Sequence, residues 1–534
     1  MAAEFHYRNI ACSKMSEQDV ASCARLFSEN YGRWSPAAGE TRAGRPIRLS
    51  PSRIRQMFCS KSDRYVALMF DDAGHLIGQV FYVRRASPWS PQKRITFILQ
   101  LVLANEFRGH RLGLKLLQSI LGLSSDDAWG LFTSNPLTIR ALEDATFRHV
   151  DVPFLARRMD GLKTALSDVF DGTAWLDSFR EGRVDTHFPV DHSQNEGKIK
   201  RAYPEGGFPF RDAPLAEGEE WLAVVFNSQS VDIQAASLQM LTSTSWEVLR
   251  DAYSRMDVSR QGWARHAQAE VDFLLERGFV KKGDSVLDLG CGVGRHAVAL
   301  AKRGVAVHGV DFSKTLLARA EQETAGYSNL SFERCDILDF KPKRKYDVVL
   351  CLYDVIGSSV HAEDNARIVR VIRESLRAGG VAIVSVMNLE AIKDGCRLEG
   401  NTYDDMSKPA DFKKLVDLPQ STTMQDSGEV FNGKLLLANF ETGIVYHKEQ
   451  FVSESALPAE YVVADKRFSS PELAELFAGF ETLLLSHVRA GKFEQDLPST
   501  DSHAKEIVGV FRSISGWSAH DAAERLVEAA AESF

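Results

Sequence analysis

Apolar positions along the first 160 residues switch between a period of two and a period near 3.6. Alternating or continuous apolar runs predict strands over Phe5–Ser13, Tyr65–Phe70, Leu76–Val83, Ile95–Leu103, Gly130–Thr133 and Asp151–Leu155. Helical spacing predicts helices over Ser16–Tyr31, Gly109–Leu121 and Asn135–Phe147. Such a mixture indicates an α/β or α+β domain over residues 1–160. The periodicity then weakens: residues 161–233 are rich in Pro, Gly and charge and predict an irregular connector, with one strand at Trp221–Phe226. From residue 234 to 534 strands alternate with amphipathic stretches, around SVLDLG, VAVHGVD, LSFERCD, YDVVLCLYD and VAIVSVMN. Strands separated by helices predict a parallel sheet wound on both faces, interrupted by a polar hairpin at 434–451.

Composition narrows the possibilities. A chain of 534 residues with 44% hydrophobic and 25% charged side chains is long enough for two or three domains, each with its own core. A net charge of −8 supplies no overall basic field for nucleic acid or an anionic membrane surface. The seven cysteines are scattered, without a CxxC pair or a His at metal spacing, so free thiols in a reducing compartment and no metal site are expected. The first residues lack a charged-then-apolar leader pattern and no run approaches a bilayer-spanning length, which together predict a cytoplasmic location.

The densest chemical signal is Val286-Leu287-Asp288-Leu289-Gly290-Cys291-Gly292-Val293-Gly294-Arg295-His296, an apolar strand entering a glycine-rich turn that opens a helix. Such glycines let the backbone turn tightly and approach a ligand where a Cβ would clash. The next strand ends in Asp311, a carboxylate placed to accept two ribose hydroxyls, and the third ends in Asp336, placed to accept an exocyclic amine. An acid within the first turn would repel a pyrophosphate but suits a cationic cofactor such as S-adenosylmethionine (SAM). The stretch VLDLGCGVGRHAVALA…VHGVD, with LRAGGVAIVSVMN downstream, resembles the class I SAM-dependent methyltransferases, particularly those acting on small molecules.

That resemblance implies a doubly wound, seven-stranded Rossmann-like domain over residues 234–534. It assigns Asp288, Gly290, Cys291, Gly292 and Gly294 to the cofactor loop, Asp311 with Phe312 to the ribose, and Asp336 with Ile337 to the adenine. In doubly wound sheets the substrate lies beyond the carboxyl ends of the strands, which points to Leu352, Tyr353 and Asp354 after the fourth strand and Asn388 after the fifth. Tyr353 and Asp354 are the expected acceptor-site residues; the alternative is a rim aromatic followed by a helix cap. The segment with Trp246, Tyr253, Trp263 and His266 is expected either to cover the cofactor as a lid or to bury a helix face. Tyr446, His447 and Arg489, the last following the expected final strand, are further acceptor-pocket candidates.

A second signal lies in the first domain. The strand ending Leu101-Val102-Leu103 leads through Glu106 to Arg108-Gly109-His110-Arg111-Leu112-Gly113 and a helix, a backbone arrangement suited to a pyrophosphate. This segment resembles the acyl-CoA loop of the GNAT N-acetyltransferases, with Arg111 in place of the first glycine. Asn135 and the helix after it resemble a later family segment, but Leu142 stands where a tyrosine usually protonates the leaving thiolate, and Thr146 replaces a glycine. The resemblance implies acetyl-CoA as donor, backbone amides of Leu101–Leu103 polarising the thioester, and Glu106 or His110 as base. The expected whole is a GNAT-like domain fused to a methyltransferase, with a small molecule as partner. The alternative is a degenerate first domain that only binds a substrate or a protein.

Overall fold

The computed structural model describes residues 5–121, 126–169, 174–211, 214–229, 248, 250–251, 262–324, 326–393, 402–405, 435–453, 456–489 and 491–514. The chain divides into one unit of Met1–Tyr253, Ala410–Gln420 and Lys448–Val462, and a second of Ser254–Pro409, Ser421–His447 and Val463–Phe534.

In the first unit, β1 (His6–Ala11), β2 (Arg64–Phe70), β3 (Leu76–Ala86), β4 (Arg94–Leu103), β5 (Asp126–Thr133), β6 (Arg183–Asp185) and β7 (Glu219–Phe226) form one sheet. Its order is β1-β2-β3-β4-β5-β7-β6. Only β4 and β5 run parallel, and the helix Leu112–Gln118 lies in the crossover between them. Their pairing stops at Ile98 and Leu131, although β4 continues to Leu103 and β5 to Thr133, so the two strands part beyond that point. A bulge in β4 at Leu99 marks the parting: Phe81 faces Gln100 and Tyr82 faces Ile98. The buried side chains of Val66, Phe81, Phe97, Leu222 and Val224 fill one face of this sheet.

Two sequence expectations fail here. Residues 161–233 are not an irregular connector: β7 is an interior strand of the first sheet, paired to β5 from Ala128–Phe226 to Thr133–Trp221 and almost wholly buried. Helices Met159–Leu166 and Asn195–Ala202 precede it, each too short to display a periodicity against surrounding Pro and Gly. Asp151–Leu155 is not a strand either, because Asp151 caps a helical turn at Val152–Ala156. Its side chain accepts from the Phe154 N–H at 2.8 Å, and Pro153 fits the first turn.

The second unit holds β8 (Ser285–Leu289), β9 (Ala306–Asp311), β10 (Leu330–Arg334), β11 (Tyr346–Cys351) and β12 (Leu376–Met387). Strands β13 (Thr402–Asp405), β14 (Leu435–Asn439), β15 (Ile444–Ser453) and β16 (Ala456–Lys466) lie outside this sheet, and β17 (Phe480–Val488) and β18 (Glu506–Ser513) complete it. Its order is β10-β9-β8-β11-β12-β18-β17. The five strands β8 to β12 are parallel and β18 runs antiparallel to both its neighbours. The strand order reverses between β8 and β11, which opens a crevice beyond their carboxyl ends. The expected hairpin is β14 and β15, in register from Leu437–Tyr446 to Asn439–Ile444. Arg489 does not follow the final strand: it follows β17, and β18 comes later to insert between β12 and β17. With turns and no helix among the described residues between β17 and β18, the last strand breaks the strand–helix rhythm that would have announced it.

Candidate active site

The turn after β8 is built by backbone geometry that side chains would obstruct. Gly290, Gly292 and Gly294 have φ of +76°, +54° and +74°. A Cβ on Gly290 would lie 2.4 Å from Val355 Cγ2 and one on Gly294 2.9 Å from Phe332 Cζ, so these two glycines serve packing. Gly292 differs: nothing lies within 4 Å of where its Cβ would be, so its face of the turn is open. Cys291 is buried, its sulfur filling the space beside Gly309.

Beneath this turn Asp288 is 3% exposed, and its Oδ2 has no hydrogen-bond partner. Burial pushes its carboxyl up to about 7; nearby Arg295 opposes the rise and Asp311 adds to it. Asp311, also buried, accepts from the Gly292 N–H at 2.9 Å and the Ser313 N–H at 2.8 Å, which fixes the glycine turn to the end of β9. Asp336 opens the short helix Ile337–Asp339 and accepts from the Leu338 N–H at 3.1 Å. Phe312 and Ile337 are partly buried beside these acids, and the Phe312 carbonyl accepts from Arg334 at 3.1 Å. The strand ends thus bring Asp288, the glycines and Asp311 to one crevice, with Asp336 at the end of the next strand.

The far side of the crevice follows β11. Leu352 is buried, and Tyr353 and Asp354 both adopt left-handed φ, +59° and +60°. Two consecutive non-glycine residues in that region carry a conformational cost that the surroundings must hold. The Tyr353 N–H donates to Ser385 Oγ at 2.8 Å, its hydroxyl to Glu270, and the Arg295 guanidinium stacks 3.9 Å from its ring centroid. Glu270 is fully buried and also contacts His296 Nε2 at 2.7 Å. Asp354 is partly buried; desolvation pushes its carboxyl up to about 7, Asp465 adds to this, and Arg467 and His447 oppose it. Asp354 does not cap the next helix, Ala362–Ser375, which begins after His361.

Glu506, Glu270, Arg295 and Ser385 were not singled out from the sequence. Glu506 opens β18, which runs opposite to β12, so the strand's first residue meets the last residues of the parallel strands. It is 5% exposed, its Oε2 lacks a partner, and burial pushes its carboxyl up to about 8, with Asp354 and Glu270 adding to the rise. Of the lid candidates, Trp246 and Tyr253 lie outside the described residues, as does the Trp263 side chain; His266 packs on Gly491. Tyr446 is partly buried, His447 lies near Asp354, and Arg489 near Lys505. Asn388 is spent on structure, its amide donating to the Ser499 and Ala504 carbonyls, both at 2.7 Å.

In the first unit, Leu101, Val102 and Leu103 occupy the part of β4 beyond its pairing with β5. Arg108 ties the following loop down, donating to the carbonyls of Leu103 and Asn30. Gly109 (φ +90°) and Arg111 (φ +58°) shape the turn before Leu112, and Gly113 has nothing within 4 Å of its missing Cβ. Arg201 Nη2 lies 3.2 Å from where a Gly109 Cβ would be. Glu106 and His110 are exposed. Asn135 caps the helix Pro136–Thr146, accepting from the Leu137 N–H at 3.2 Å, while Leu142 and Thr146 are fully buried in the core.

Among the described residues no helix is long and apolar enough to cross a membrane, and no group of three His, Cys, Asp or Glu is placed to hold a metal. Residues 280–428 match the methyltransferase-domain family. A ubiquinone biosynthesis O-methyltransferase of Coxiella burnetii is 30% identical over 116 residues, 21% of this chain and 48% of that protein. One from Vibrio parahaemolyticus is 29% identical over 178 residues, 30% of this chain and 74% of that protein. The chain therefore spans about half the length of the first relative. The CcbJ methyltransferase from Streptomyces caelestis overlays with a TM-score of 0.35 at 20% identity, covering 48% of this chain and 90% of that one. With the strand order β10-β9-β8-β11-β12-β18-β17 and the glycine turn after β8, the matched segment identifies the C-terminal part of this chain as a class I SAM-dependent methyltransferase domain.

Proposed function

We propose that the second unit transfers a methyl group from SAM to an amine or hydroxyl of a small molecule, and that the first is a GNAT-like module acylating an amine from acetyl-CoA. The observation carrying the methyl-transfer reading is Asp288: a buried carboxylate with an unpartnered oxygen, under a glycine turn whose Gly292 face is open. An uncompensated polar atom in such a place is costly unless a cationic ligand group meets it. Asp311 and Asp336, oriented by backbone N–H groups at successive strand ends, are the carboxylates proposed to meet ribose hydroxyls and an adenine amine. SAM supplies an electrophilic methyl group: the acceptor's lone pair forms the new bond as the sulfur–carbon bond breaks and leaves its pair on sulfur. The chain's part is to align the two partners and exclude water.

The acylation reading is supported by the parting of β4 and β5, which leaves backbone groups of Leu101–Leu103 without a β5 partner beside the Arg108–Gly113 loop. Fusing two group-transfer units raises the effective concentration of a shared intermediate, which favours successive modification of one amine-bearing molecule. The exposure of Glu106 and His110 and the buried Leu142 favour the second reading, a first unit that binds without catalysis.

Calorimetric titration of the intact chain with SAM and with acetyl-CoA, repeated on Asp311→Ala and Arg108→Ala, separates these readings. SAM binding weakened at least about tenfold by Asp311→Ala alone supports methyl transfer, an effect of about 1.4 kcal/mol. Acetyl-CoA binding lost only in Arg108→Ala supports acylation. Silence toward acetyl-CoA leaves the binding-only reading.

A further inference from the structure

The carboxylates after β11 and at the head of β18 converge on one backbone position. Met387 ends β12; its N–H bonds the Asp354 carboxylate, and in the sheet register it faces Glu506. Ser385, two residues back, receives the Tyr353 N–H and hydrogen-bonds Glu506. Asp354 and Glu506 are thereby held side by side, one with a partly open face and the other buried with a free Oε2.

Two carboxylates held together in a desolvated site do not both stay ionised: they share a proton or take up a cation. The neighbouring charges do not relieve them fully. Asp465, Arg467 and His447 face Asp354, while Glu270, Arg295 and Lys505 face Glu506, and the sum leaves both carboxyls proton-hungry near neutrality. A hydroxyl acceptor would bring no positive charge to such a place. A protonated amine would, and it must lose a proton before its nitrogen can take a methyl group.

Resting on the methyl-transfer reading above, we propose that the Asp354–Glu506 pair is the acceptor subsite, and that it takes an aliphatic amine as its ammonium ion. The N–H bond breaks, its electron pair stays on nitrogen, and the proton passes to Asp354, which becomes a carboxylic acid. Asp354 is the catalytic base; Glu506, whose own carboxyl feels the Asp354 charge, is a positioning residue that helps hold the ammonium ion beside it.

The test uses the full chain with methyl-labelled SAM and four amines, putrescine, glycine, glucosamine and ethanolamine, beside their hydroxyl counterparts butane-1,4-diol, glycolate, glucose and ethylene glycol. Label on nitrogen of at least one amine, and on none of the alcohols, is expected. Asp354→Asn lowers kcat about 100-fold while leaving the affinity for SAM unchanged, the usual scale of general-base loss. Glu506→Gln raises KM for the amine about tenfold while kcat and the affinity for SAM stay within about threefold, a split a purely structural role would not produce. Aminoacetonitrile, whose nitrogen is already neutral at pH 7, is spared most of the Asp354→Asn loss. Label in alcohols alone, or in none of these compounds while SAM binds, overturns the proposal and leaves the methyl-transfer reading standing. Absence of SAM binding overturns both.

Discussion

The three glycines of the turn after β8 look alike in the sequence and do different work. Gly290→Ala drives a Cβ into Val355 at a left-handed φ and is expected to destabilise the second unit by about 2 kcal/mol or more. Gly292→Ala meets nothing in the protein, so only the left-handed backbone penalty of about 1 kcal/mol applies. Its cost appears in binding, because the new methyl occupies the open face. Urea unfolding beside SAM titration checks the pair: Gly290→Ala should lose stability foremost, Gly292→Ala should lose affinity at nearly native stability. Equal affinity in Gly292→Ala and the parent would place the cofactor elsewhere.

Among elements, the turn after β11 depends on its neighbours for its shape. The bond from the Tyr353 hydroxyl to Glu270 links this turn to the helix Ala267–Glu276, and Glu270 also contacts His296. Tyr353→Phe removes that bond and leaves a buried carboxylate short of a donor. A loss of about 1–3 kcal/mol in thermal or urea unfolding is expected, with little change in SAM affinity. An unaltered stability would show that the turn holds its left-handed pair without the helix.

The same elements show how far the sequence could be followed. The parallel strands were legible because each is an apolar run bounded by a turn, and Asp288, Asp311 and Asp336 because each stands within two residues of a strand's carboxyl end. Glu506 was not: an antiparallel strand reverses the rule that functional residues sit at carboxyl ends, and its acid stands at the start. Glu270 was hidden differently, as a single charge on an otherwise ordinary helix whose burial comes only from packing. In the first unit, β7 was seen as a strand but not as part of the sheet, since nothing local in Glu219–Phe226 states that its partner is β5, some ninety residues earlier in the chain.

For the whole molecule, pH acts against the usual direction. The Asp288, Asp354 and Glu506 carboxyls lie near 7, 7 and 8, and Glu220 of the first unit, buried on β7, near 7. In the unfolded chain such groups ionise near 4. Between about pH 4 and 8 these four groups hold more protons in the folded chain than in the unfolded one, and their contribution to stability falls as pH rises through this window, opposed in part by the buried His296 and half-buried His308, whose pKa values are lowered. Melting temperature without ligand should decline from pH 5 to 8.5, and Asp288→Asn and Glu506→Gln should each flatten the decline, by on the order of 1–3 kcal/mol. A profile rising over that range would mean these carboxyls are paired in solution. SAM at ~100 times its dissociation constant at pH 7 should add about 2.7 kcal/mol there and, at the same concentration, more at high pH, where Asp288 is ionised.

The position of β18 also bears on how the protein is made. It is the last described strand of its sheet in chain order, yet it lies between β12 and β17, so β17 leaves the ribosome before the strand it pairs with. Until residue 513 has been released, β12 and β17 both present open edges, and the cofactor turn is complete while Glu506 has yet to arrive. Under the roles proposed above, a nascent chain binds a donor before it can act on an acceptor. Stalled or truncated products ending before β18 are the forms of this protein most exposed to aggregation and to proteolysis.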